Sequence, residues 1–261
     1  MNTKEYIILI LFTLTAVACS HIDEDGQLIY VKPEAARRVV LLEDFTGQRC
    51  VNCPKATEVI EQLQQTYGDS AFIAVGIHGG PLGFSGNTTF AGLVTSAGDE
   101  YFNHWDLEYQ PVGIVNRRGA VNYTDWTMVV KEEMAKPAPL EMKMSALLKQ
   151  GQIIIKLREF GTDGSTTGKL QIWLLEDQVT ALQLMPDGTA NANYVHNHVL
   201  RSPINGLWGE DFTIREGENK EQTRMFLPNE TWNLHHLSLV AFVYNNDGVH
   251  QAVKAKVMIE E

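Results

Sequence analysis

The pattern of apolar positions predicts an α/β region in the first half of the chain. Residues 39–45 read Val-Val-Leu-Leu-Glu-Asp-Phe, which is too apolar on both faces for an exposed edge strand, so we predict a buried parallel strand. After Pro54, apolar residues recur at helical spacing until Gly68 supplies a stop. A second buried strand is predicted over residues 72–77.

The segments that follow complete this first region. Residues 79–86 are rich in glycine and lack the lysine-serine or lysine-threonine pair of a phosphate-binding loop, so we interpret them as an ordinary loop. A helical stretch around residues 101–105, a strand over 112–116 and a helix around 126–134 come next. Together these elements predict one α/β domain over residues 35–136.

A change of pattern indicates a second domain. The segment Lys136-Pro137-Ala138-Pro139 predicts a short stiff linker, because each proline removes a donor and biases its predecessor to extended structure. Beyond it the helical period disappears, and turn residues separate about eight short β segments. They cover residues 140–147, 152–160, 169–175, 194–200, 212–214, 224–227, 237–244 and 249–259. We predict an immunoglobulin-like β-sandwich over residues 139–261, with a barrel as the alternative.

The N-terminus has the pattern of an export signal. Residues 1–18 combine a short polar start with an apolar run that is too short to span a bilayer stably. Residues 16–20 resemble the bacterial lipobox, which implies a lipid attached to Cys19; an ordinary signal peptide with a chance cysteine is the alternative. In the predicted tether over residues 19–34, Asp23-Glu24-Asp25 resembles an acidic signal for surface export, or is simply a solvated segment.

The composition and charge of the chain argue against some classes of binding partner. With 44% hydrophobic and 20% charged residues, the chain has the make-up of a folded globular body. The formal net charge of −11 argues against nucleic acid or an anionic membrane surface as a partner. Since there are only 3 cysteines, we expect core packing to stabilise the fold, with no disulfide framework.

The clearest candidate chemistry lies at Cys50 and Cys53, where the first predicted strand gives way to the first predicted helix. Two thiols at this spacing are typical of a dithiol redox site. The positive end of the helix dipole favours thiolates, and Arg49 and Lys55 add cationic charge. We expect Cys50 at the helix mouth to attack and Cys53, one turn inside, to resolve the mixed disulfide.

This region resembles the thioredoxin superfamily. Asp44-Phe45 ends the central strand six residues before Cys50, and residues 110–115 look like the cis-proline loop that feeds the next strand. The resemblance implies that Pro111 faces the dithiol. Arg49 departs from the usual tryptophan, and the dipeptide between the cysteines matches neither thioredoxin nor disulfide isomerase, so the redox direction stays open.

Structural alternatives accompany each of these residues. Cys50 and Cys53 could form a static disulfide or half of a zinc site, although zinc wants four ligands. Asp44 is either a solvated carboxylate at the strand end or a buried proton acceptor for Cys53. His196 and His198 would share one face of a strand, but paired strand histidines are more often structural, so we predict no metal site and no cofactor.

Five sequence features together resemble the Bacteroidetes outer membrane protein 28 family. They are the lipobox and the segments at residues 49–54, 111–117, 196–201 and 240–245. The resemblance implies an outer-membrane lipoprotein with a thioredoxin-like domain followed by an all-β domain, facing the periplasm or the cell surface. Asp69-Ser70-Ala71 also resembles a Bacteroidetes O-glycosylation signal, which makes Ser70 a candidate site.

Two functions remain open at this point. The first is thiol-disulfide exchange on exported protein substrates, in which Cys50 attacks, Cys53 resolves, Asp44 assists proton transfer and Pro111 positions the substrate. The second is a surface binding protein or adhesin, in which the thioredoxin-like domain is a scaffold and host or surface ligands bind elsewhere.

Overall fold

The structure is a computed structural model that describes residues 31–260, and residues 33–260 form one compact unit. The first half of this unit alternates strands and helices. Its elements are β1 (Ala36–Arg37), β2 (Val40–Thr46), α1 (Cys53–Tyr67), β3 (Phe72–His78), α2 (Ser96–His104), β4 (Val112–Val115), β5 (Ala120–Asn122) and α3 (Trp126–Met134). The strand and helix predicted on either side of the cysteine pair are confirmed as β2 and α1.

Strand β2 lies at the centre of this half, and all 7 of its residues are buried. It pairs in parallel with β3 and antiparallel with β4. Because successive side chains of a strand point to opposite faces, β2 contributes to two apolar clusters. Leu41 and Phe45 belong to one cluster, whereas Val40 and Leu42 pack with residues of α1 and α3 in the other.

The second half of the described chain is almost entirely β. Its strands are β6 (Pro137–Ala138), β7 (Leu140–Lys149), β8 (Gln152–Gly161), β9 (Ser165–Glu176), β10 (Val179–Leu184), β11 (Ala190–His196), β12 (Val199–Pro203), β13 (Glu210–Arg215), β14 (Asn219–Phe226), β15 (Leu237–Asn245) and β16 (Gly248–Ile259). Alternating exposed and buried residues along β7 and β8 show why these segments form strands with one face on the core. The described chain is therefore a mostly β structure.

One large mixed sheet runs through both halves. Its strand order is β14-β8-β7-β16-β15-β9-β12-β3-β2-β4-β5, and β13 also pairs with β9. The connection between the halves is parallel pairing of β12 with β3, at Val199 and Gly76. The predicted domain boundary at residues 136–139 stays a prediction, and β6 pairs there with β1.

The strand predicted over residues 194–200 is wrong in its extent. The structure has two strands there, because β11 ends at His196 and β12 begins at Val199. His198 has a φ of 57°, a left-handed conformation that an extended strand cannot contain. Its backbone N–H donates to the carboxylate of Asp177, which holds the turn in place. Strand β10 was not predicted; it pairs antiparallel with β11 as a separate two-stranded sheet, the β10–β11 hairpin.

A shared core joins the two halves. The cluster that contains Phe45 also contains Trp173 of β9 and Phe242 of β15. At this boundary the side chain of Arg117 donates from Nε to Glu43 at 2.8 Å, and the two side chains are 2% and 0% exposed. The Arg117 guanidinium also lies 4.0 Å from the ring centre of Tyr244. An ion pair in an aromatic enclosure is therefore buried between the α/β half and the β half.

Candidate functional site

The cysteine pair lies at the end of the central strand. Cys50 and Cys53 form a disulfide with a Cα–Cα distance of 5.4 Å. Cys50 is in the turn after β2, and its N–H donates to the carbonyl of Gly47 at 3.0 Å. Gly47 is required there, because a Cβ at this position would lie 2.3 Å from the carbonyl oxygen of Leu82. Close packing of two loops therefore fixes the backbone that leads into the disulfide.

The placement of the two sulfurs differs from the sequence-based expectation. Helix α1 begins at Cys53, so Cys53 lies at the helix N-terminus and Cys50 precedes the helix. Pro54 in the first helical turn sets this start, since its fixed φ suits that position. Cys50 is 1% exposed and Cys53 is 2% exposed. Neither sulfur is open to solvent, and the predicted difference in reactivity between them stays a prediction.

The β10–β11 hairpin covers the disulfide. The side-chain amide of Gln183 donates to the carbonyl of Cys50 at 2.9 Å and to that of Gly47 at 3.3 Å. The backbone N–H of Leu184 donates to the carbonyl of Gln48 at 2.9 Å. In return, the Gln48 side chain donates to the carbonyl of Leu182 at 3.0 Å. The cysteine turn and the hairpin are therefore joined by reciprocal hydrogen bonds.

Asp44 is a buried carboxyl beside this pair. It is 4% exposed, which rules out the solvated carboxylate considered from the sequence. Asp44 and Cys53 line the same cavity of about 60 Å³. Burial raises the pKa of Asp44 to about 7. A carboxyl that titrates near neutrality beside a cysteine can accept or return a proton under physiological conditions.

Two histidines line the same cavity. His78 ends β3 and His196 ends β11, and their ring centres are 5.2 Å apart in an edge-to-face arrangement. Burial and then the proximity of His196 hold the pKa of His78 well below its ordinary value. Burial also lowers the pKa of His196 to about 4, although backbone hydrogen bonds to Leu182 and Ala181 act in the opposite direction. Both rings are therefore uncharged at neutral pH.

Sequence reasoning missed His78 and Gln183 as site residues. For His78 a signal existed, because the carboxyl ends of parallel strands meet at one edge of a sheet, and His78 pairs in register with Thr46 of β2. Gln183 carried no signal, since its strand was not predicted and its partners are distant in sequence.

His196 and His198 have different hydrogen-bonding surroundings, although both line the buried cavity. His198 lies 2.9 Å from Asp177 through Nδ1 and within hydrogen-bond distance of Gln64 through Nε2. The ring of His196 packs against that of His78. Within residues 31–260, no group of three His, Cys, Asp or Glu side chains is arranged to hold a metal ion.

The remaining predicted neighbours of the dithiol have other contacts. The guanidinium of Arg49 lies 5.1 Å from the centre of the Phe84 ring, and the Lys55 ammonium reaches Asn52 at 3.4 Å. The Gln110–Pro111 peptide bond is cis, as predicted, and Pro111 directly precedes β4. The predicted orientation of Pro111 towards the disulfide stays a prediction.

Other predicted site residues lie elsewhere. Ser70 is exposed in the turn between α1 and β3, where a modifying enzyme would have access. Cys19 and the acidic segment Asp23-Glu24-Asp25 fall outside the described residues, as do the signal peptide and most of the tether.

The fold and the site define a mostly β protein with an α/β portion that carries a buried C-x-x-C disulfide. The family model described as "Outer membrane protein Omp28" matches residues 98–261, which is more than half of the chain. The chain belongs to this family. The matched residues include His196 and Gln183 but not the cysteine pair, so membership alone assigns no role to the disulfide.

One solved structure supports the fold, and a second is similar to part of the chain. The chain is similar to "HBP35 of Porphyromonas gingivalis", with 15% identity, a TM-score of 0.67, and coverage of 85% of this chain and 76% of that one. A domain of the outer membrane lipoprotein Omp28 from Porphyromonas gingivalis is 24% identical over 48% of this chain and 92% of that one, with a TM-score of 0.34. No curated protein matches the chain.

Membership of this family indicates where the protein is located in the cell. The family is one of outer membrane proteins, and the predicted location at the outer membrane is confirmed at this level. Across residues 31–260, the helices are all too short or too polar to cross a bilayer.

Proposed function

We propose that this protein carries out thiol-disulfide exchange on exported protein substrates at Cys50 and Cys53. The observation that carries the proposal is the burial of Asp44 in the cavity that Cys53 also lines. A buried carboxyl with a pKa of about 7 suits a group that takes a proton from a cysteine and later returns it. Pro111 positions the substrate backbone, as the thioredoxin resemblance implies.

The proposal includes a thioredoxin-like fold for the first half and an immunoglobulin-like arrangement for the second. For the first half, the support is the strand order β3-β2-β4-β5, with a parallel pair followed by an antiparallel one. For the second half, the support is the antiparallel pairing of β7 with β8 and of β15 with β9 and β16, with β16 closing on β7 in parallel; these strands share an apolar cluster.

The exchange has two steps. The Cys50 thiolate attacks a substrate disulfide, forming a Cys50–substrate bond and releasing one substrate thiolate. Cys53 then attacks the Cys50 sulfur, which closes the protein disulfide and releases the second substrate thiolate. The substrate gains two electrons and the protein dithiol loses two. Run in reverse, the same steps oxidise a substrate dithiol.

Access to the sulfurs is part of this proposal. Because the disulfide is only 1–2% exposed, a substrate reaches it only when the β10–β11 hairpin moves away. The contacts that must break are the hydrogen bonds of Gln183 and Gln48. Exchange therefore depends on local opening, and its rate follows the stability of these contacts.

Attachment and modification complete the proposal. A lipid on Cys19 anchors the protein to the outer membrane, where it faces the periplasm or, if the acidic segment at residues 23–25 acts as an export signal, the cell surface. An outward orientation needs a redox partner on that side, whereas an inward one gives access to membrane oxidases and reductases. Ser70 carries an O-linked glycan, and its exposure in a turn supports this assignment.

Trapping of partners tests the exchange function. In cells that express a Cys53→Ala variant, Cys50 should accumulate mixed disulfides with exported proteins, because no second thiol resolves them. A Cys50→Ala/Cys53→Ala variant is the matched control. Failure of the single variant to trap any partner beyond the control would overturn the proposal.

A binding function without redox chemistry is the second candidate, and the burial of the disulfide favours it. A cystine that is 1–2% exposed and sealed by a hairpin has the setting of a structural crosslink. In that case host or surface ligands bind elsewhere on the protein. A Cys50→Ser/Cys53→Ser variant that stays folded should then keep its binding to host cells, and strict loss of binding would exclude this candidate.

A further inference from the structure

The cavity beside the disulfide has walls from four parts of the fold. Asp44 comes from β2, Cys53 from the start of α1, His78 from β3, and Tyr194 and His196 from β11. The cavity volume of about 60 Å³ leaves room for a few water molecules. The first half of the chain therefore supplies the cysteine and the carboxyl, while the hairpin of the second half closes the cavity over them.

Three side chains of this wall have a buried polar atom without a protein hydrogen-bond partner. These atoms are Oδ1 of Asp44, Nδ1 of His78 and Nε2 of His196. Buried polar atoms in proteins are almost always hydrogen-bonded, either to protein or to ordered water. Since the cavity is polar and large enough for water, a hydrogen-bonded network through water can connect the carboxyl with both rings.

The other ionisable groups around the cavity come from α1, β11 and the turn after it. Glu61 of α1 and Tyr194 of β11 also line the cavity, and burial raises the pKa of Tyr194. His198 lines it too, but pairs with Asp177. No lysine or arginine lines the cavity within the described chain. His78 and His196 thus present buried ring nitrogens that can hydrogen-bond with cavity water.

We propose that His78 and His196 are positioning residues for proton transfer between Cys53 and Asp44. This inference rests on the proposed exchange function. In the resolving step, the Cys53 thiol gives its proton to the Asp44 carboxylate while its sulfur forms the bond to Cys50. The bond between Cys50 and the substrate breaks, and the substrate leaves as a thiolate. Through cavity water, the two rings stabilise the carboxylate that accepts the proton.

Neutral rings are suited to this role. A histidine cation would hold Asp44 ionised and would lower its affinity for the proton of Cys53. Uncharged imidazoles supply hydrogen bonds without that charge. Burial keeps both rings neutral, and the burial of Asp44 itself raises the pKa of that carboxyl to about 7. His196 comes from the second half of the chain, so this half takes part in the reaction site itself.

Two readouts test the inference, in His196→Leu and His78→Leu variants of the full chain. The first is the titration of Asp44, followed by the ¹³C signal of its carboxyl in oxidised protein and assigned with Asp44→Asn. We expect its midpoint to rise by about one pH unit, because each leucine removes a hydrogen-bonding partner of the carboxylate. The second is the rate at which Cys53 resolves a preformed Cys50 mixed disulfide with a small aromatic thiol.

The resolving rate should show a matching pH dependence. A midpoint one unit higher leaves about one fifth as much carboxylate at pH 7, so we expect a roughly fivefold slower step that recovers by about pH 9. His196→Gln and His78→Gln are the conservative controls, since an amide keeps the hydrogen bonds without a titratable ring. The glutamine variants should have the Asp44 titration midpoint and the resolving rate of the natural protein.

The outcomes separate this inference from the proposed function. If the leucine variants fold and keep the midpoint and the pH profile of the natural protein, the histidines play no positioning role. If the glutamine variants behave like the leucine variants, hydrogen bonding by the rings is not the cause, and the inference is overturned as well. If the natural protein itself fails to resolve the mixed disulfide at any pH, the exchange function fails.

Discussion

Gln183 donates its side-chain amide to the carbonyl of Cys50 at 2.9 Å, across 133 residues of sequence. The donor is 2% exposed and belongs to the β10–β11 hairpin, whereas the acceptor belongs to the turn that holds the disulfide. A residue of the β half thus holds the disulfide turn of the α/β half. The contact closes the disulfide to solvent and makes the hairpin part of the candidate site.

Removal of this contact should make the disulfide easier to reduce. In a Gln183→Ala variant, we expect dithiothreitol to reduce the Cys50–Cys53 disulfide of the folded protein about fivefold faster. A hydrogen bond of roughly 1 kcal/mol is lost from the closed state, so local opening becomes more frequent. The rate is measured by quenching with an alkylating reagent and counting modified cysteines by mass.

Gln65→Ala is the matched control, because Gln65 is exposed on α1. Its disulfide should be reduced at the rate of the natural protein. Equal rates in the Gln183→Ala and Gln65→Ala variants would show that the hairpin does not control access.

The buried ion pair between Arg117 and Glu43 should contribute strongly to the stability of the boundary between the two halves. We expect Arg117→Leu to lower the free energy of unfolding by about 3–5 kcal/mol, because it leaves the carboxylate of Glu43 buried without its partner. The aromatic rings of Trp173, Phe242 and Tyr244 also lose their contact with the guanidinium. Urea denaturation followed by circular dichroism measures the change.

An exposed ion pair provides the comparison. Arg158 and Glu221 lie 3.1 Å apart, and their side chains are 68% and 54% exposed. Arg158→Leu should therefore change the free energy of unfolding by no more than about 1 kcal/mol. A loss of similar size in both variants would contradict the account of the boundary.

The buried carboxyl of Asp44 should make stability fall as pH rises. Burial raises its pKa in the folded state to about 7, whereas an unfolded aspartate has a pKa of about 3.9. Above pH 4 the unfolded chain loses this proton first, so the folded state is progressively disfavoured up to about pH 7. The total contribution is about 4 kcal/mol.

Comparison with Asp44→Asn isolates this contribution, since an amide does not titrate. The free energy of unfolding of the natural protein, minus that of Asp44→Asn, should decrease by about 3 kcal/mol from pH 4 to pH 7, which is most of this total. Glu108→Gln, in an exposed loop, should leave the pH dependence unchanged. A pH-independent difference between the natural protein and Asp44→Asn would show that Asp44 ionises as an exposed carboxyl does.

The sequence was sufficient to predict the strand and the helix on either side of the cysteine pair. Residues 39–45 and the apolar period after Pro54 predict β2 and α1, because burial on both faces and helical spacing leave a direct trace in the residue pattern. The cysteines and Asp44 could therefore be placed at the junction of β2 and α1, whereas the cis bond at Pro111 was expected from the resemblance to the thioredoxin superfamily.

The parts of the fold and of the site that the sequence did not predict depend on contacts between distant segments. Strand β10 is short and alternates only weakly, and nothing in its sequence shows that it packs on residues 47–50. The contact of Gln183 with the carbonyl of Cys50 follows from that packing. The break at His198 was hidden for a similar reason, because the backbone N–H of His198 donates to the carboxylate of Asp177, 21 residues earlier, and this bond stabilises the left-handed backbone.

The reduction potential of the Cys50–Cys53 disulfide tests the central claim most directly. It is measured by equilibrating the full chain in dithiothreitol or glutathione buffers and counting alkylated cysteines by mass. The proposed exchange function predicts a value in the range of about −120 to −270 mV, where known exchangers lie. A value below about −300 mV would contradict it and identify the disulfide as a structural crosslink.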